Sequence, residues 1–293
     1  MPTTFVTPEP ISVTVALGVG DIRIVASDRT DTVVEVRPSN AAKQSDATAA
    51  EQTRVDYANG RLSIKALKSW RLHTFRGGGE SIDVEIALPA GSHVRGEAGA
   101  AALRCTGRLG ECRYKAGVGD VHLDQAGPVQ LRVGAGDVTV DGAVNDAEIT
   151  TGSGAVRIER INGAATIKNA NGDTWLGEVT GDLRVNAANG KISVDRPHAS
   201  VVAKTANGDL RLREVARGAI VAHTANGKVD IGILDGVAAW LDLRTLYGTV
   251  HNDLDAAEGP PEAGEGAVQV QAHTSFGDIT IRRSVAAGTG KDA

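Results

Sequence analysis

The 293-residue sequence is poor in aromatic residues, with only three each of Trp, Tyr and Phe. A core made of aromatic side chains is therefore excluded, and Val, Ile, Leu and Ala must fill it. The nine prolines exclude a proline-rich or collagen-like chain. The two cysteines, Cys105 and Cys112, are too few for a disulfide framework. Both fall on or near inward positions of the repeat described below, so we expect buried free thiols.

Neither sign of charge dominates, because 31 Lys and Arg residues face 36 Asp and Glu residues, for a formal net charge of −5. This balance argues against nucleic-acid binding but leaves room for a local basic strip. No run reaches the ~18 apolar residues of a membrane span. The first ten residues also lack the basic and apolar regions of a secretory signal. We therefore expect a cytoplasmic protein with no integral membrane segment, and peripheral association with the cell envelope stays open as an alternative.

Glycine, by contrast, is abundant, with 36 residues that recur at regular intervals. Each repeat begins with a glycine followed by alternating apolar and polar residues, as in GDVTVD from Gly136 and GKISVD from Gly190. Between Gly119 and Gly248, successive repeats are separated by 17, 18, 18, 18, 18, 19 and 21 residues. Such a sustained period is typical of solenoid proteins.

Every repeat contains two predicted strands. Apolar residues occupy the second and fourth positions after the glycine and the seventh, fifth and third positions before it. Alternation with a period of two predicts strands with one buried face, so Val185 should face the core and Arg184 the solvent. Two short strands and two corners in ~18 residues predict an all-β, single-chain parallel β-solenoid with coils stacked ~4.8 Å apart. A β-sandwich is the alternative, whereas repeats of ~40 residues would be needed for a propeller.

The pattern predicts one continuous domain with irregular and regular parts. We expect an N-terminal arm over residues 1–10, a β-solenoid over 11–283 and a disordered tail over 284–293. Within the solenoid, the coils over 11–98 are irregular and act as a cap, and the coils over 99–283 are regular. Insertions interrupt the pattern at residues 38–52, 68–79 and 255–266, and the first of them is either a loop or one short helix.

Four consecutive repeats share the corner sequence Ala-Asn-Gly. Asn-Gly favours tight turns because both residues tolerate positive φ. In a stack of coils the four asparagines should lie one above another and form a ladder of amide hydrogen bonds. The predicted ladder consists of Asn171, Asn189, Asn207 and Asn226. The residue after each corner glycine alternates in charge, from Asp173 to Lys228, which predicts a second ladder of salt bridges.

The sequence contains no recognisable catalytic or cofactor-binding motif, such as G-x-S-x-G, a Walker A loop or a dinucleotide fingerprint. Lysine replaces aspartate where a calcium-binding roll would need a ligand, for example at Lys191, and the seven histidines form no metal-spaced pair. We therefore predict no catalytic residue, no cofactor and no metal. A carbohydrate-active enzyme is the weaker alternative, and its acidic residues would be Asp124, Asp141, Glu159 and Asp195.

Cations recur at one outward position, the fourth residue before each glycine. This basic strip contains Arg132, Lys168, Lys204 and Arg244, with Arg184 on the same sheet and Thr150, Asn186, His223 and His273 at the intervening positions. Cations in every second coil would lie ~9–10 Å apart. Trp175 is also outward by its phase and adds an apolar contact. We predict that these residues form an interaction surface, and the alternative is a row of solvated charges that are kept apart.

Together these features resemble a known bacterial family. The G-D-[IV]-x-[IV] units, the Ala-Asn-Gly corners and the segment ESIDVEIALPAGSHV are similar to those of a β-strand-repeat family of unknown function labelled "putative adhesin". The resemblance extends from Ile11 to Arg283. It implies a β-solenoid without a catalytic consensus, often linked to cell-envelope proteins, and no functional residues to carry over.

We predict from these observations a non-catalytic scaffold that binds a protein partner or a second copy of itself. A self-assembling filament, as in the bactofilins, is the main alternative, and a carbohydrate-active enzyme is the weaker one. The long charged insertions argue against free end-to-end stacking.

Overall fold

The computed structural model describes residues 2–66, 80–254 and 267–284, which contain 25 β-strands and one α-helix. The chain divides into two compact units, Met1–Gly154 and Ala155–Ala293. The predicted insertions at 68–79 and 255–266 lie outside the described residues, as does the predicted tail except for Ser284, which ends the last strand. Within the described residues, no helix has the length and apolar character that crossing a membrane requires.

The first unit contains twelve strands and the helix. They are β1 (Thr3–Val6), β2 (Ser12–Ser27), β3 (Asp31–Pro38), α1 (Gln44–Gln52), β4 (Arg54–Ala58), β5 (Arg61–Lys65), β6 (Ile82–Pro89), β7 (His93–Arg108), β8 (Cys112–Val118), β9 (Val121–Ala126), β10 (Val129–Ala135), β11 (Val138–Ala143) and β12 (Ala147–Ser153). The insertion at 38–52, which the sequence allowed to be a loop or one short helix, contains the helix α1.

Regular coils in the first unit pair in parallel. Strand β10 lies between β8 and β12, so Leu131 is in register with Tyr114 on one side and Ile149 on the other. Strand β11 pairs with β9 in the same way, with Val138 beside Val121. These register steps of 17 and 18 residues equal the sequence period.

The N-terminal strands of the first unit do not stack in sequence order. Strand β2 pairs in parallel with β7 along one edge and with β5 and β6 along the other. Beyond them the pairing becomes antiparallel, with β4 on β5, β3 on β6 and β1 on β3. Residues 3–6 of the predicted arm thus form the edge strand β1. Helix α1 contacts β3, and the buried Asp46 accepts a hydrogen bond from the Ser81 backbone N–H.

The second unit contains thirteen strands. They are β13 (Val156–Ile161), β14 (Ala165–Asn171), β15 (Thr174–Val179), β16 (Leu183–Asn189), β17 (Ile192–Pro197), β18 (Val201–Asn207), β19 (Leu210–Val215), β20 (Ala219–Asn226), β21 (Val229–Leu234), β22 (Ala239–Tyr247), β23 (Val250–Asn252), β24 (Val268–Phe276) and β25 (Ile279–Ser284).

Two parallel sheets run through the second unit. One contains β14, β16, β18 and β20 in order, and the other contains β13, β15, β17, β19 and β21. The order then departs from the sequence, because β20 pairs with β24 and β24 pairs with β22. In the other sheet β25 lies between β21 and β23. The last coil along the chain is therefore inserted between two earlier ones.

The core follows the predicted alternation in both units. Leu183 and Val185 are buried while Arg184 is exposed, and Leu131 and Val133 flank the exposed Arg132 in the same way. Most residues that face inward are Val, Ile, Leu, Ala and Thr, as the shortage of aromatic residues required, and Cys105, Cys112, Tyr114 and Asn169 are buried among them. The fold is thus the predicted parallel β-solenoid with coils of ~18 residues.

Corner glycines allow the coils to stack closely. Gly190 and Gly208 have φ of +132° and +152°, which L-residues with a side chain rarely adopt. A Cβ atom on Gly190 would lie 2.1 Å from the carbonyl oxygen of Gly172 in the preceding coil. The repeated glycine is therefore required by both backbone conformation and space.

Candidate interaction surfaces

The four predicted ladder asparagines lie in register at the ends of β14, β16, β18 and β20. The Asn189 side-chain Nδ2 donates to Asn171 Oδ1 at 2.8 Å, and Asn207 donates to Asn189 at 2.9 Å. Asn226 donates to Asn207 at 2.8 Å. Each inner amide both donates and accepts, so the row fixes the register of neighbouring coils.

Two aromatic residues continue the asparagine row. Phe276 is in register with Asn226, and Tyr247 is in register with Phe276. Their rings stack with centroids 5.0 Å apart and an interplanar angle of 7°. Sequence reasoning missed this pair, although both residues directly precede a corner glycine as the asparagines do. The exposed row thus changes from amides to aromatic rings in the last two coils.

The residues after the corner glycines are arranged differently from the predicted salt-bridge ladder. Asp173 Oδ1 accepts a hydrogen bond from the Lys191 backbone N–H at 2.8 Å, and Asp209 accepts one from the Lys228 N–H at the same distance. The Lys228 ammonium lies 3.7 Å from Asp278. A carboxylate at a corner therefore binds mainly the backbone of the next coil, because the turn presents an N–H group there.

The structure brings the predicted basic strip together in the second unit, with the exception of Arg132. Lys168, Asn186 and Lys204 follow one another in register, with Arg184 two residues away on the same face of β16. Arg132 belongs to the first unit, where it is in register with Lys115 and lies 3.7 Å from Glu148. Arg132 is thus already paired with an anion.

Insertion of β24 changes the order of the strip in the last coils. Lys204 is in register with His223, His223 with His273, and His273 with Arg244. The sequence order, with His223 followed by Arg244, is therefore wrong for this part of the surface. Four nitrogen-bearing side chains occupy consecutive coils instead of alternating with neutral residues. We call the depression that they line with Leu246 the histidine groove.

The two histidines of the groove stack on each other, with ring centroids 4.7 Å apart and an interplanar angle of 10°. Their Nε2 atoms are shielded from solvent and have no hydrogen-bond partner within the described part of the chain. Asp242 Oδ2 lies 3.8 Å from the His273 Nε2, beyond hydrogen-bond distance. Burial, with smaller contributions from His273 and Lys204, lowers the pKa of His223.

Trp175 is half-buried on β15, and the guanidinium carbon of Arg157 lies 4.0 Å from its ring centroid. This cation–π contact covers one face of the indole. Trp175 lies on the sheet of β13, β15 and β17, so it belongs to a different surface from the basic strip.

Large exposed apolar side chains are concentrated in the last coils of the second unit. Trp240, Leu246, Tyr247 and Phe276 are 59%, 76%, 67% and 55% exposed. Leu246 occupies an outward corner position where the other coils have glycine, alanine or serine, as at Ala206. A concentration of exposed apolar groups of this kind is typical of contact surfaces.

The other clusters of titratable side chains are less suited to binding a ligand. In the first unit, ligand atoms of His122, Asp124 and Asp141 lie within 4.8 Å of one another, but His122 Nε2 and Asp124 Oδ1 are 3.3 Å apart and already form an ion pair when the ring is protonated. Cys105 and Cys112 are buried free thiols. Burial raises the pKa of the Cys112 thiol to about 12, so it stays protonated and unreactive near neutral pH.

The parallel strand register and the pattern of buried residues define a parallel β-solenoid. Residues 10–282 match the family model described as Toastrack DUF4097, and the chain belongs to this family of unknown function. No curated protein sequence matches the chain.

Three solved structures to which the chain is similar come from two Parabacteroides species. A putative adhesin from Parabacteroides merdae is 12% identical and has a TM-score of 0.47, with 96% of this chain and 95% of that chain covered. A putative adhesin from Parabacteroides distasonis is 14% identical, with a TM-score of 0.43 and 96% coverage of both chains. A putative lipid binding protein from the same species is 12% identical, with a TM-score of 0.33 and coverage of 97% and 96%.

Proposed function

We propose that this protein is a non-catalytic interaction scaffold that binds an acidic segment of a partner protein in the histidine groove. The observation that carries the proposal is the row of Lys204, His223, His273 and Arg244 in four consecutive coils. Two of these side chains have Nε2 atoms without a hydrogen-bond partner in the described residues. A carboxylate bound in the groove would pair with Lys204 and would compete with Asp242, which lies 3.0 Å from Arg244, for the guanidinium. Rotation of the two rings on binding would bring their Nε2 atoms within reach of the same carboxylate.

The dimensions of the groove fit a short extended segment. Four coils at ~4.8 Å give a row ~14 Å long, and alternate side chains of an extended peptide recur every ~6.7 Å. Three carboxylates on one side of such a peptide would therefore span the row. Leu246 at its end offers an apolar contact to a neighbouring residue of the partner.

Arg132 provides a matched control for this proposal. It occupies the equivalent outward position on β10, but Glu148 lies 3.7 Å away and its register partners on β8 and β12 are Lys115 and Thr150 instead of histidines. If the groove rather than overall basic charge binds the partner, Arg132 should contribute little.

A defined acidic probe tests the proposal directly. We expect fluorescein-labelled oligoglutamate to bind the wild-type chain, with affinity reduced about tenfold by Lys204→Glu and changed less than twofold by Arg132→Glu. Binding should strengthen from pH 8 to pH 6, because a carboxylate held beside His223 favours the protonated form of that ring. Equal losses in the two variants, or no binding at either pH, would contradict the proposal.

The natural partner can then be sought by a pull-down from native lysate separated into soluble and membrane fractions. We expect wild-type protein and Arg132→Glu to retain the same partner and Lys204→Glu to lose it. Recovery in the soluble fraction would agree with the cytoplasmic location that we propose, and recovery with membranes would agree with peripheral attachment to the envelope.

A further inference from the structure

Strand β22 is a long edge strand. It has nine residues, pairs with β24 along one edge, and has no strand on its other edge among the residues that the structure describes. An exposed edge presents a row of unpaired backbone N–H and C=O groups, which is a template for pairing with another strand.

The core is open beside this edge. Leu241 and Leu243 face inward but remain partly exposed, whereas Val270 and Ala272, their register partners on β24, are buried. Trp240 and Leu246 are exposed on the outward face of the same strand. Water therefore contacts apolar groups on both faces of β22, and a strand added to this edge would cover them.

The outward residues of β22 are complementary to themselves in an antiparallel pair. Within one chain, Arg244 Nε donates a hydrogen bond to Asp242 Oδ1 at 3.0 Å. With a two-fold axis at Leu243, the ion pairs of the two copies face each other, so that Asp242 lies opposite Arg244 of the second copy and the four charges alternate in sign. Trp240 lies opposite Leu246 of the second copy. A parallel pair would place Asp242 opposite Asp242 and Arg244 opposite Arg244. Opposite charges directly across a strand pair stabilise it and like charges destabilise it, so the sequence favours the antiparallel arrangement.

We propose that two copies of this chain pair through β22, with the strands antiparallel and Leu243 at the two-fold axis. The inward side chains of both outer coils then face the same side, and each open core is continued by the other. Because the contact is self-complementary, it closes as a pair and does not propagate into a filament. The pairing shares Arg244 and Leu246 with the histidine groove, but it does not require the groove to bind a partner, and Lys204 on β18 lies three strands from this edge.

Charge exchange on β22 tests the pairing in the full-length chain. We expect sedimentation of the wild-type protein to show a concentration-dependent doubling of the 30.2 kDa mass. Arg244→Asp and Asp242→Arg should each weaken the pair by about tenfold or more, because each places two like-charged contacts across the axis. The double variant Asp242→Arg/Arg244→Asp should restore it, and the matched control Arg132→Asp should leave it unchanged.

Several outcomes would overturn the proposal. They are a wild-type monomer at tens of micromolar, a pair that survives both single charge changes, and a double variant that stays monomeric while folding normally. Long fibres in place of a doubled mass would also contradict it.

Cysteine cross-linking tests the register independently of stability. Leu243→Cys should form a disulfide-linked dimer under mild oxidation, because residue 243 faces itself across the axis. Leu241→Cys faces residue 245 of the second copy and should stay uncross-linked. The reverse pattern would show a different register and would contradict the assigned axis.

Discussion

The outermost strands of the two units are constructed in different ways. In the first unit the edge strands β1 and β4 have four and five residues and pair antiparallel to their neighbours. In the second unit the edge strand β22 has nine residues and continues the parallel stack. Short edges that change direction resist the addition of further strands, whereas a long parallel edge does not.

The outer coil of the first unit is also more completely buried than that of the second unit. Leu62 and Ile64 on β5 are buried, because β4 lies beyond them. Leu241 and Leu243, the equivalent inward residues on β22, are partly exposed. The comparison shows that a solenoid repeat needs a separate structure to close its core, and that within the described residues only the first unit supplies one.

The largest expected change in the free energy of unfolding comes from a substitution in the closed interior of the second unit. Val185→Asp buries an unpaired carboxylate and should lower the free energy of unfolding by about 3–5 kcal/mol. Arg184→Asp, one residue earlier and exposed, should change it by less than about 0.5 kcal/mol. Urea unfolding of both variants checks the difference, and equal midpoints would contradict the inward and outward assignment.

A matched pair of truncations compares the two outer coils directly. Ile64→Ala removes a fully buried side chain and should cost about 3 kcal/mol. Leu243→Ala, measured at a concentration below that of pairing, should cost about 1 kcal/mol because its side chain is already partly in water. Comparable losses in the free energy of unfolding would show that the outer coil of the second unit is as well closed as that of the first.

The asparagine row should contribute a smaller amount. Asn207→Ala removes one hydrogen bond to Asn189 and one from Asn226. We expect a loss of about 1 kcal/mol in the free energy of unfolding, since exposed neutral hydrogen bonds contribute little each. Ala206→Ser at the neighbouring exposed position serves as the control and should be nearly neutral. A neutral result for Asn207→Ala would limit the row to specifying register.

The smallest expected effect is a pH dependence in the histidine groove. Burial lowers the pKa of His223 below its ordinary value of 6.5, so between the two values the unfolded chain binds more protons than the folded chain. Stability should therefore fall as the pH is lowered from 7 towards 5. His223→Gln should flatten this part of the profile, which thermal unfolding at several pH values would measure. An unchanged slope would show that the imidazole is not shielded.

Much of the fold was predictable from the sequence because the same short-range rules apply in each coil. The glycine period and the apolar alternation predicted the solenoid and the inward position of Val185. The order of the last coils was not predictable, because the repeats at Gly248 and Gly277 have the same local pattern and their places depend on the connection between them. The antiparallel strands β3 and β4 also alternate as parallel strands do, so their direction is decided by tertiary pairing.

The histidine groove illustrates the same limit. His223, His273 and Arg244 were recognised as members of one outward row, but their adjacency depends on β24 lying between β20 and β22. The aromatic pair Phe276 and Tyr247 depends on it as well. Local sequence thus defines which face a residue occupies, whereas the coil order defines its neighbours.

Hydrogen exchange at low protein concentration tests most directly the central claim that β22, and not the later strand β24, is the open edge of the second unit. Amides of β24 are flanked by strands on both edges and should exchange slowly, whereas those of β22 should exchange much faster. Faster exchange in residues 268–276 than in residues 239–247 would contradict the account, because it would mean that the coils stack in sequence order.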